Sequence, residues 1–532
     1  MSRTPLLQSF QQLFRDFTEH ESTGRSLTEI QAARSEGHSR RDFLKVAGLG
    51  AIATAIAPRL ALAGPAPRIA IVGGGMSGLH AALTLQDAGL ASTVYEASSR
   101  LGGRMHSDTT SWLNGQVTEH YGELIDSTHK TILGLAKRFR IAVDDVNGAE
   151  PGKSEDTCYF HGRYYTRDQA NVDFNAVYNA VKKDLNAASY PTFYNHYTAG
   201  GYQLDHLSLY DWIETRVPGG HSSPMGMLLD LAYTIEYGGE TTDQSALNLV
   251  YLLAYQPVPG NFRIFGRSDE RYHLRGGNEQ LPKAVAAALP AASLRTSTAL
   301  TGLAKRSDGT WELRFKPKNG APFAVTADRV IMTVPFSVLR TLDYSGAGFN
   351  DLKRAAIEQL GYGTNAKLHL QFDTRLWNRP GPWGVGNGAS YADTGYQNTW
   401  ENTRAQAGQT GILVDYTGGD VGASFTGDRT DPSVVGSYAT RFLSQIEPVF
   451  PGLTAEWNGR TTLDNPAMNP YLRGSYAYYR VGQYTQFGGA EAEESAGCHF
   501  AGEHCSTDFQ GYMEGAAQEG ARAAEEVLTA YR

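Results

Sequence analysis

A short apolar run, Arg68-Ile69-Ala70-Ile71-Val72, passes at once into Gly73-Gly74-Gly75-Met76-Ser77-Gly78, and Leu79 to Gly89 continues with helical spacing. A buried strand, a glycine turn and a helix in that order form a G-x-G-x-x-G dinucleotide cradle. Gly73 permits the tight turn, Gly75 lets a pyrophosphate approach the backbone, and Gly78 lets the helix pack on the strand. The helix N-terminus adds unpaired N–H groups and partial positive charge for the phosphates. A second strand, Ser92-Thr93-Val94-Tyr95-Glu96, ends in an acid 18 residues after Gly78. Its carboxylate is placed to accept from both hydroxyls of an adenosine ribose and would repel a 2′-phosphate, which disfavours NADP.

The glycines alone leave NAD and FAD open. Arg100-Leu101-Gly102-Gly103-Arg104 then places two permissive residues and a guanidinium just beyond the acid, where Arg104 can neutralise the pyrophosphate. Glu96 followed by Leu101-Gly102-Gly103-Arg104 resembles the opening of the flavin amine oxidases, the group containing monoamine oxidases and L-amino acid oxidases. The likeness runs from about Arg68 to the C-terminus. Its most specific part is Phe500-Ala501-Gly502-Glu503-His504, then Gly511-Tyr512-Met513-Glu514-Gly515-Ala516 and a helix through Ala523. There a strand delivers Gly502 and Glu503 to the cofactor, and the helix starting near Met513 points its positive end at the flavin edge that gains charge on reduction.

The resemblance implies FAD as cofactor, with Gly73, Gly75, Gly78, Glu96, Gly103, Arg104, Gly122, Glu123, Gly502, Glu503, Gly511, Tyr512 and Met513 holding it, and Leu300 against the adenine. Leu274 to Pro282 resembles the family's return to the flavin domain, and Ala327 to Pro335 reads as a strand closing it. Ser475 occupies the slot where mammalian-type monoamine oxidases carry the cysteine that bonds the flavin, so the FAD is expected to be non-covalent.

The expected fold class is α/β (α+β overall). A Rossmann-like FAD-binding domain is assembled from separated segments, 64–128, 266–342 and 475–532, beside a helical substrate-access part at 129–265 and a substrate-binding domain at 343–474. Thr128 to Val143 and Ala176 to Ala188 have helical spacing, and Tyr210 to Tyr237 reads as further helices. Leu368 to Ala477 is richer in β-branched, aromatic and Gly/Asn/Thr residues, as expected of antiparallel strands behind a flavin face.

Removing two electrons and a proton from a C–H beside an amine needs a flavin N5 facing that carbon and a neutral amine lone pair; the protein supplies orientation, a dry pocket and electrostatics. Lys367 in Gly363-Thr364-Asn365-Ala366-Lys367-Leu368 lies on an alternating strand and matches the family's lysine, which holds a water against N5 and assists reoxidation by oxygen. Tyr476 and Tyr512 match the aromatic pair flanking the substrate nitrogen in monoamine oxidases. Trp400 falls near a substrate-contacting aromatic of relatives.

An amino acid substrate needs its carboxylate held, normally by an arginine fork. In Tyr121-Gly122-Glu123-Leu124-Ile125, Ile125 occupies the slot that carries this arginine in snake-venom-type L-amino acid oxidases. Yet Gly276 to Pro282 and Glu236-Tyr237-Gly238-Gly239-Glu240, with Gln244-Ser245-Ala246-Leu247, look like bacterial L-amino acid oxidases. The expected activity is therefore oxidation of an L-α-amino acid to the 2-oxo acid, ammonia and hydrogen peroxide, with O2 as acceptor. The alternatives are an oxidase of monoamines or polyamines, and a flavin protein that passes electrons to a partner or serves as a scaffold.

The N-terminal segment reads as an address. Ser39-Arg40-Arg41-Asp42-Phe43-Leu44-Lys45, an apolar run from Val46 to Ala57 and Ala61-Leu62-Ala63 resemble a twin-arginine export signal, too short to span a bilayer core of about 30 Å. A leader over 1–63, export machinery as a partner, a periplasmic or extracellular location and no stable membrane insertion are expected; a homodimer is left open. The 47 Lys and Arg against 55 Asp and Glu give a net charge of -8 with no basic block in the body of the chain, which argues against nucleic acid. Three cysteines form no disulfide framework, and Cys498 and Cys505 around His499 and His504 fit no zinc knuckle, so no metal is expected.

Overall fold

The computed structural model describes residues 66–256 and 260–531; the predicted leader lies outside them. Ile69–Val72 has four consecutive apolar residues, all buried, as required of a strand covered on both faces. It sits at the centre of a five-stranded, all-parallel sheet in the order Cys498–Phe500, Arg329–Met332, Ile69–Val72, Ser92–Tyr95, Leu294–Arg295. Ile69 is in register with Arg329 on one side and Ser92 on the other. At the end of the central strand the chain turns at Gly73, whose φ of 111° favours glycine, and enters the helix Met76–Asp87. The helix Met513–Thr529 packs on this one through Gly520, where a Cβ would lie 2.1 Å from the Ser77 carbonyl oxygen.

Under this sheet lies a second one of four strands, in the order Phe323–Ala327, Trp311–Pro317, Thr298–Lys305, Asp343–Gly346. Leu300 and Leu303, on either side of a β-bulge, and the alternate residues Trp311, Leu313 and Phe315 share a core with Val72, Val330 and Met332. Cys498 and Cys505 are buried free thiols beside it.

The third layer is a seven-stranded sheet ordered Trp457–Asp464, Ala366–Phe372, Gly411–Thr417, Asn398–Glu401, Gly386–Ala392, Glu155–Phe160, Arg163–Tyr165. The pairings are antiparallel except between Gly386–Ala392 and Glu155–Phe160. The last two strands come from the segment assigned to the helical substrate-access part, between the stretches with helical spacing. Glu155 to Tyr165 instead forms a hairpin that extends the sheet. Ala366–Phe372 is buried along its whole length, with Leu368, Leu370 and Phe372 in a core with Trp377 and Phe442, and Lys367, His369 and Gln371 on the opposite face.

Helices close the cavity from the other side. Arg167–Ala188 starts nine residues before the apolar spacing suggested, because Thr166 and Gln169 form a reciprocal capping box. Lys130–Arg138 is shorter than the predicted span and ends where Arg140 turns left-handed. Pro224–Tyr237 begins with a Ser223 cap and Pro224 in its first turn, and ends at Gly238 with a φ of 70°. Its Leu228, Leu229, Ala232 and Tyr233 pack with Trp212 and Leu249 in a core whose edge touches Tyr391 and Tyr416 of the sheet. That contact aims the last helical turn at the space between the layers. Among the described residues no helix is long and apolar enough to cross a membrane.

Candidate active site

Between the parallel sheet, the seven-stranded sheet and the helices runs a cavity of about 960 Å³. Its wall includes Gly73, Gly75, Glu96, Gly103, Arg104, Gly122, Glu123, Leu300, Lys367, Trp400, Tyr476, Gly502, Glu503, Gly511, Tyr512 and Met513. Residues separated by more than 400 positions thus share one enclosure. Gly78 lies behind the wall: a Cβ there would fall 2.0 Å from the Gly73 carbonyl oxygen, so its absence lets the helix sit on the turn.

One end is shaped for a dinucleotide. The helices Met76–Asp87 and Met513–Thr529 both start at the cavity without a side-chain cap, leaving their first amides for an anionic or carbonyl partner. A Cβ on Gly75 would meet only the Gly103 Cα, at 3.8 Å, so two glycine backbones border the space a pyrophosphate needs. The Glu96 carboxylate accepts from the amides of Gly74 at 2.7 Å and Ser98 at 2.8 Å, which fixes it at the strand end. These features fit FAD.

Arg104 is anchored rather than free-standing. Its Nη1 donates to Glu503 Oε1 at 2.9 Å and to the Ser475 carbonyl at 2.7 Å. Glu503 also accepts from the amides of Ala477 at 3.2 Å and Gly511 at 2.8 Å. The acid therefore ties Arg104 of the N-terminal cofactor motif to the backbone at Ala477 and Gly511 near the C-terminus. Leu300 is buried in the wall, as expected of a residue against an apolar ring face.

At the other end stands Lys367. Its Nζ donates to Glu123 Oε2 at 2.7 Å and to the Glu119 carbonyl at 3.3 Å, and it lies 5.2 Å from the Trp400 ring centroid. Glu123, expected to contact the cofactor, spends its other oxygen on Trp400 Nε1 at 3.1 Å and Asn402 Nδ2 at 2.7 Å. Burial opposes ionisation of Glu123, but the Lys367 charge and hydrogen bond, with His273 and His369 nearby, outweigh it and hold the carboxyl down at about 2. Trp400 packs edge-on against Tyr416 with ring centroids 4.8 Å apart, so its indole closes this wall while its N–H serves Glu123.

Tyr476 and Tyr512 are both tied to one helical turn. Tyr476 donates to the Ile235 carbonyl at 3.0 Å and receives from the Tyr416 hydroxyl at 2.7 Å; Tyr512 donates to Glu236 Oε1 at 2.9 Å. Burial pushes both phenols well above their ordinary value, so they remain neutral donors. Ile235 also accepts from Asn365 Nδ2 at 2.6 Å, and Asn365 Oδ1 accepts from Ser475 Oγ at 2.6 Å.

The wall also holds groups that no sequence signal singled out for a role. Glu236, in a stretch noted only for its resemblance, and Glu270, left-handed at a φ of 43°, face the cavity. Burial pushes their carboxyls up, to about 7 and about 8. Arg404, a tenth exposed, lies within electrostatic reach of Glu270 and pairs with Glu150 at 2.6 Å. Tyr416 completes the set, and Asn402 stands behind the wall, donating to Glu123. Only the three-dimensional fold brings these residues to the site.

Comparison with known proteins agrees with the geometry. The chain is 26% identical over 509 residues to a nicotine dehydrogenase of Pseudomonas putida, covering 93% of this chain and 98% of that one. It is 24% identical over 479 residues to an L-amino acid dehydrogenase of Synechocystis, covering 86% and 94%. The solved cyclohexylamine oxidase of Brevibacterium oxydans superposes with a TM-score of 0.74 at 18% identity, over 88% of this chain and 99% of that one. The family model described as flavin containing amine oxidoreductase matches residues 76–528. The chain belongs to the flavin containing amine oxidoreductase family, and FAD is the cofactor its cavity serves.

Proposed function

We propose that the protein oxidises the C–N bond of a primary amine, and that the amine is an L-α-amino acid converted to the 2-oxo acid with O2 as electron acceptor. The observation that carries the reading is the meeting of Lys367, Tyr476 and Tyr512 in one cavity with the dinucleotide cradle. When bound, FAD supplies a hydride acceptor. The chain's own residues do the rest. Tyr476 and Tyr512 present neutral, hydroxyl-anchored rings to an uncharged amine, and Lys367 is held immobile by Glu123. The enclosing sheets and helices exclude bulk water, which strengthens each of these interactions.

An α-amino acid carries both an ammonium and a carboxylate, and the wall offers an acid, Glu236, and a guanidinium, Arg404, both acting on Glu270. Arg404 thereby supplies the anion-binding charge absent at Ile125. A second reading, a simple amine or diamine, is favoured by the ion pair that already neutralises Arg404 with Glu150. Peroxide release with a panel of L-amino acids and their decarboxylated amines separates the two. Turnover confined to the amines, or insensitive to Arg404→Ala, overturns the amino acid reading. Flavin that bleaches under nitrogen without forming peroxide in air overturns O2 as acceptor. Export by the twin-arginine route is proposed on Arg40 and Arg41; loss of extracytoplasmic protein in an Arg40→Lys, Arg41→Lys variant tests it.

A further inference from the structure

We propose that Glu236 is the base that takes the proton from the substrate ammonium inside the cavity, a role that rests on the amine-oxidation reading above. Hydride departure requires the amine lone pair, yet an alkyl ammonium resembling lysine's is neutral in only about one molecule in a thousand near neutral pH. Two phenol rings hold no such proton. The cavity therefore needs an acceptor beside the aromatic pair.

Glu236 is placed there by the last turn of Pro224–Tyr237. Its Oε1 accepts from Tyr512, and its neighbour Ile235 anchors Tyr476, so carboxylate and both rings are fixed by consecutive residues. The side-chain hydrogen bond to Glu236 comes from Tyr512, and among the described residues no ion pair joins Glu236 to a lysine, arginine or histidine. The ionisable groups facing it are Asp126, Glu270 and the phenols Tyr233, Tyr237, Tyr391, Tyr416, Tyr476 and Tyr512. A cationic ligand is attracted into such surroundings. The other two acids suit the task less: Asp126 lies outside the cavity wall with Oδ1 committed to Ser268 and the Glu270 amide, and Tyr512 donates to Glu236 rather than to Glu270.

In the step, the N–H bond of R–NH3+ breaks and an O–H bond forms on Glu236, giving R–NH2 and the neutral carboxylic acid, with total charge unchanged. After product leaves, the acid returns its proton to water. A carboxyl pushed by burial to about 7 is matched to this exchange, being largely ionised just above neutrality without holding the proton weakly.

The test uses flavin-loaded Glu236→Gln and Tyr512→Phe. Anaerobic flavin bleaching by an amine or amino acid substrate is followed against pH. Glu236→Gln is expected to lose the acidic limb assigned to the base, to react on the order of 100-fold more slowly near neutrality, and to recover as pH approaches the pKa of the free amine. Tyr512→Phe removes a hydrogen bond that favours the ionised acid, so its limb moves to higher pH. A second readout is independent of turnover. tert-Butylamine and 2-aminoisobutyrate lack an α C–H, and their binding is measured by calorimetry in two buffers of different ionisation enthalpy. At a pH well above 7, where Glu236 is ionised before the ligand arrives, the unmodified protein shifts the proton internally and releases almost none, whereas Glu236→Gln releases about one per neutral amine bound. An unchanged pH profile, or equal proton release in both proteins, overturns the role of Glu236 while leaving amine oxidation standing. Flavin that bleaches with no amine overturns both.

Discussion

Glu123 and Lys367 meet at 2.7 Å where each is less than a tenth exposed, and the second carboxylate oxygen is held by Trp400 and Asn402. The lysine is therefore locked in place with its charge balanced inside the protein. A buried pair of this kind is weak evidence for stability, since desolvation offsets attraction, but removing one partner strands the other. Its clearest consequence is a fixed cation at the cavity.

Lys367→Met is expected to slow reoxidation of reduced flavin by oxygen by on the order of 100-fold, the usual scale for one electrostatic stabiliser. Flavin content stays near that of the parent. The orphaned Glu123 lowers stability by about 3 to 5 kcal/mol, and adding Glu123→Gln restores the melting temperature without restoring reoxidation. Stopped-flow mixing with oxygen and thermal melts give both numbers.

The same pair sets an acid limit. Folding holds Glu123 at about 2 against an ordinary value of 4.5. A depressed folded value means that the stabilisation is complete above about pH 4.5 and is lost as pH falls toward 2, an effect on the order of 3 kcal/mol. Denaturant midpoints measured from about pH 6 downward should fall less steeply in Glu123→Gln than in the parent through that window.

Gly78→Val should abolish flavin binding. The new Cβ collides with the Gly73 carbonyl at 2.0 Å, forcing the helix off the turn that the cofactor needs, at a cost of about 1 to 3 kcal/mol. Absorbance near 450 nm of the purified protein reads the outcome; a yellow variant with parental flavin content contradicts it.

Heat or acid should release all the flavin into a protein-free filtrate. Ser475 Oγ is hydrogen bonded to Asn365 and offers no thiol for a covalent bond. Yellow colour retained by the precipitate contradicts non-covalent binding.

Short-range patterns were legible in the sequence. Gly73 to Gly78 and Glu96 act within one strand, turn, helix and following strand, so spacing alone identifies their roles. The helix start at Thr166 was missed because a reciprocal cap replaces apolar spacing as the signal. Glu155 to Tyr165 carries too few residues to distinguish a hairpin from a loop, and its sheet partner is more than 200 positions away at Gly386–Ala392. The site divides in the same way. Lys367, Tyr476 and Tyr512 sit in recognisable local contexts, whereas Glu236, Glu270, Asn402 and Arg404 acquire meaning only from neighbours brought by the fold. A carboxylate such as Glu270 looks like surface charge until its burial is known.

The parallel sheet draws its five strands from around positions 69, 92, 294, 329 and 498. A ribosome that has delivered the glycine turn and Glu96 has made only the first part of the cradle. The opposite wall, with Glu503 and the helix at Met513, emerges some 400 residues later. The complete cradle thus exists only once synthesis has run past the far side of the fold, and a yellow colour is a sign that it has.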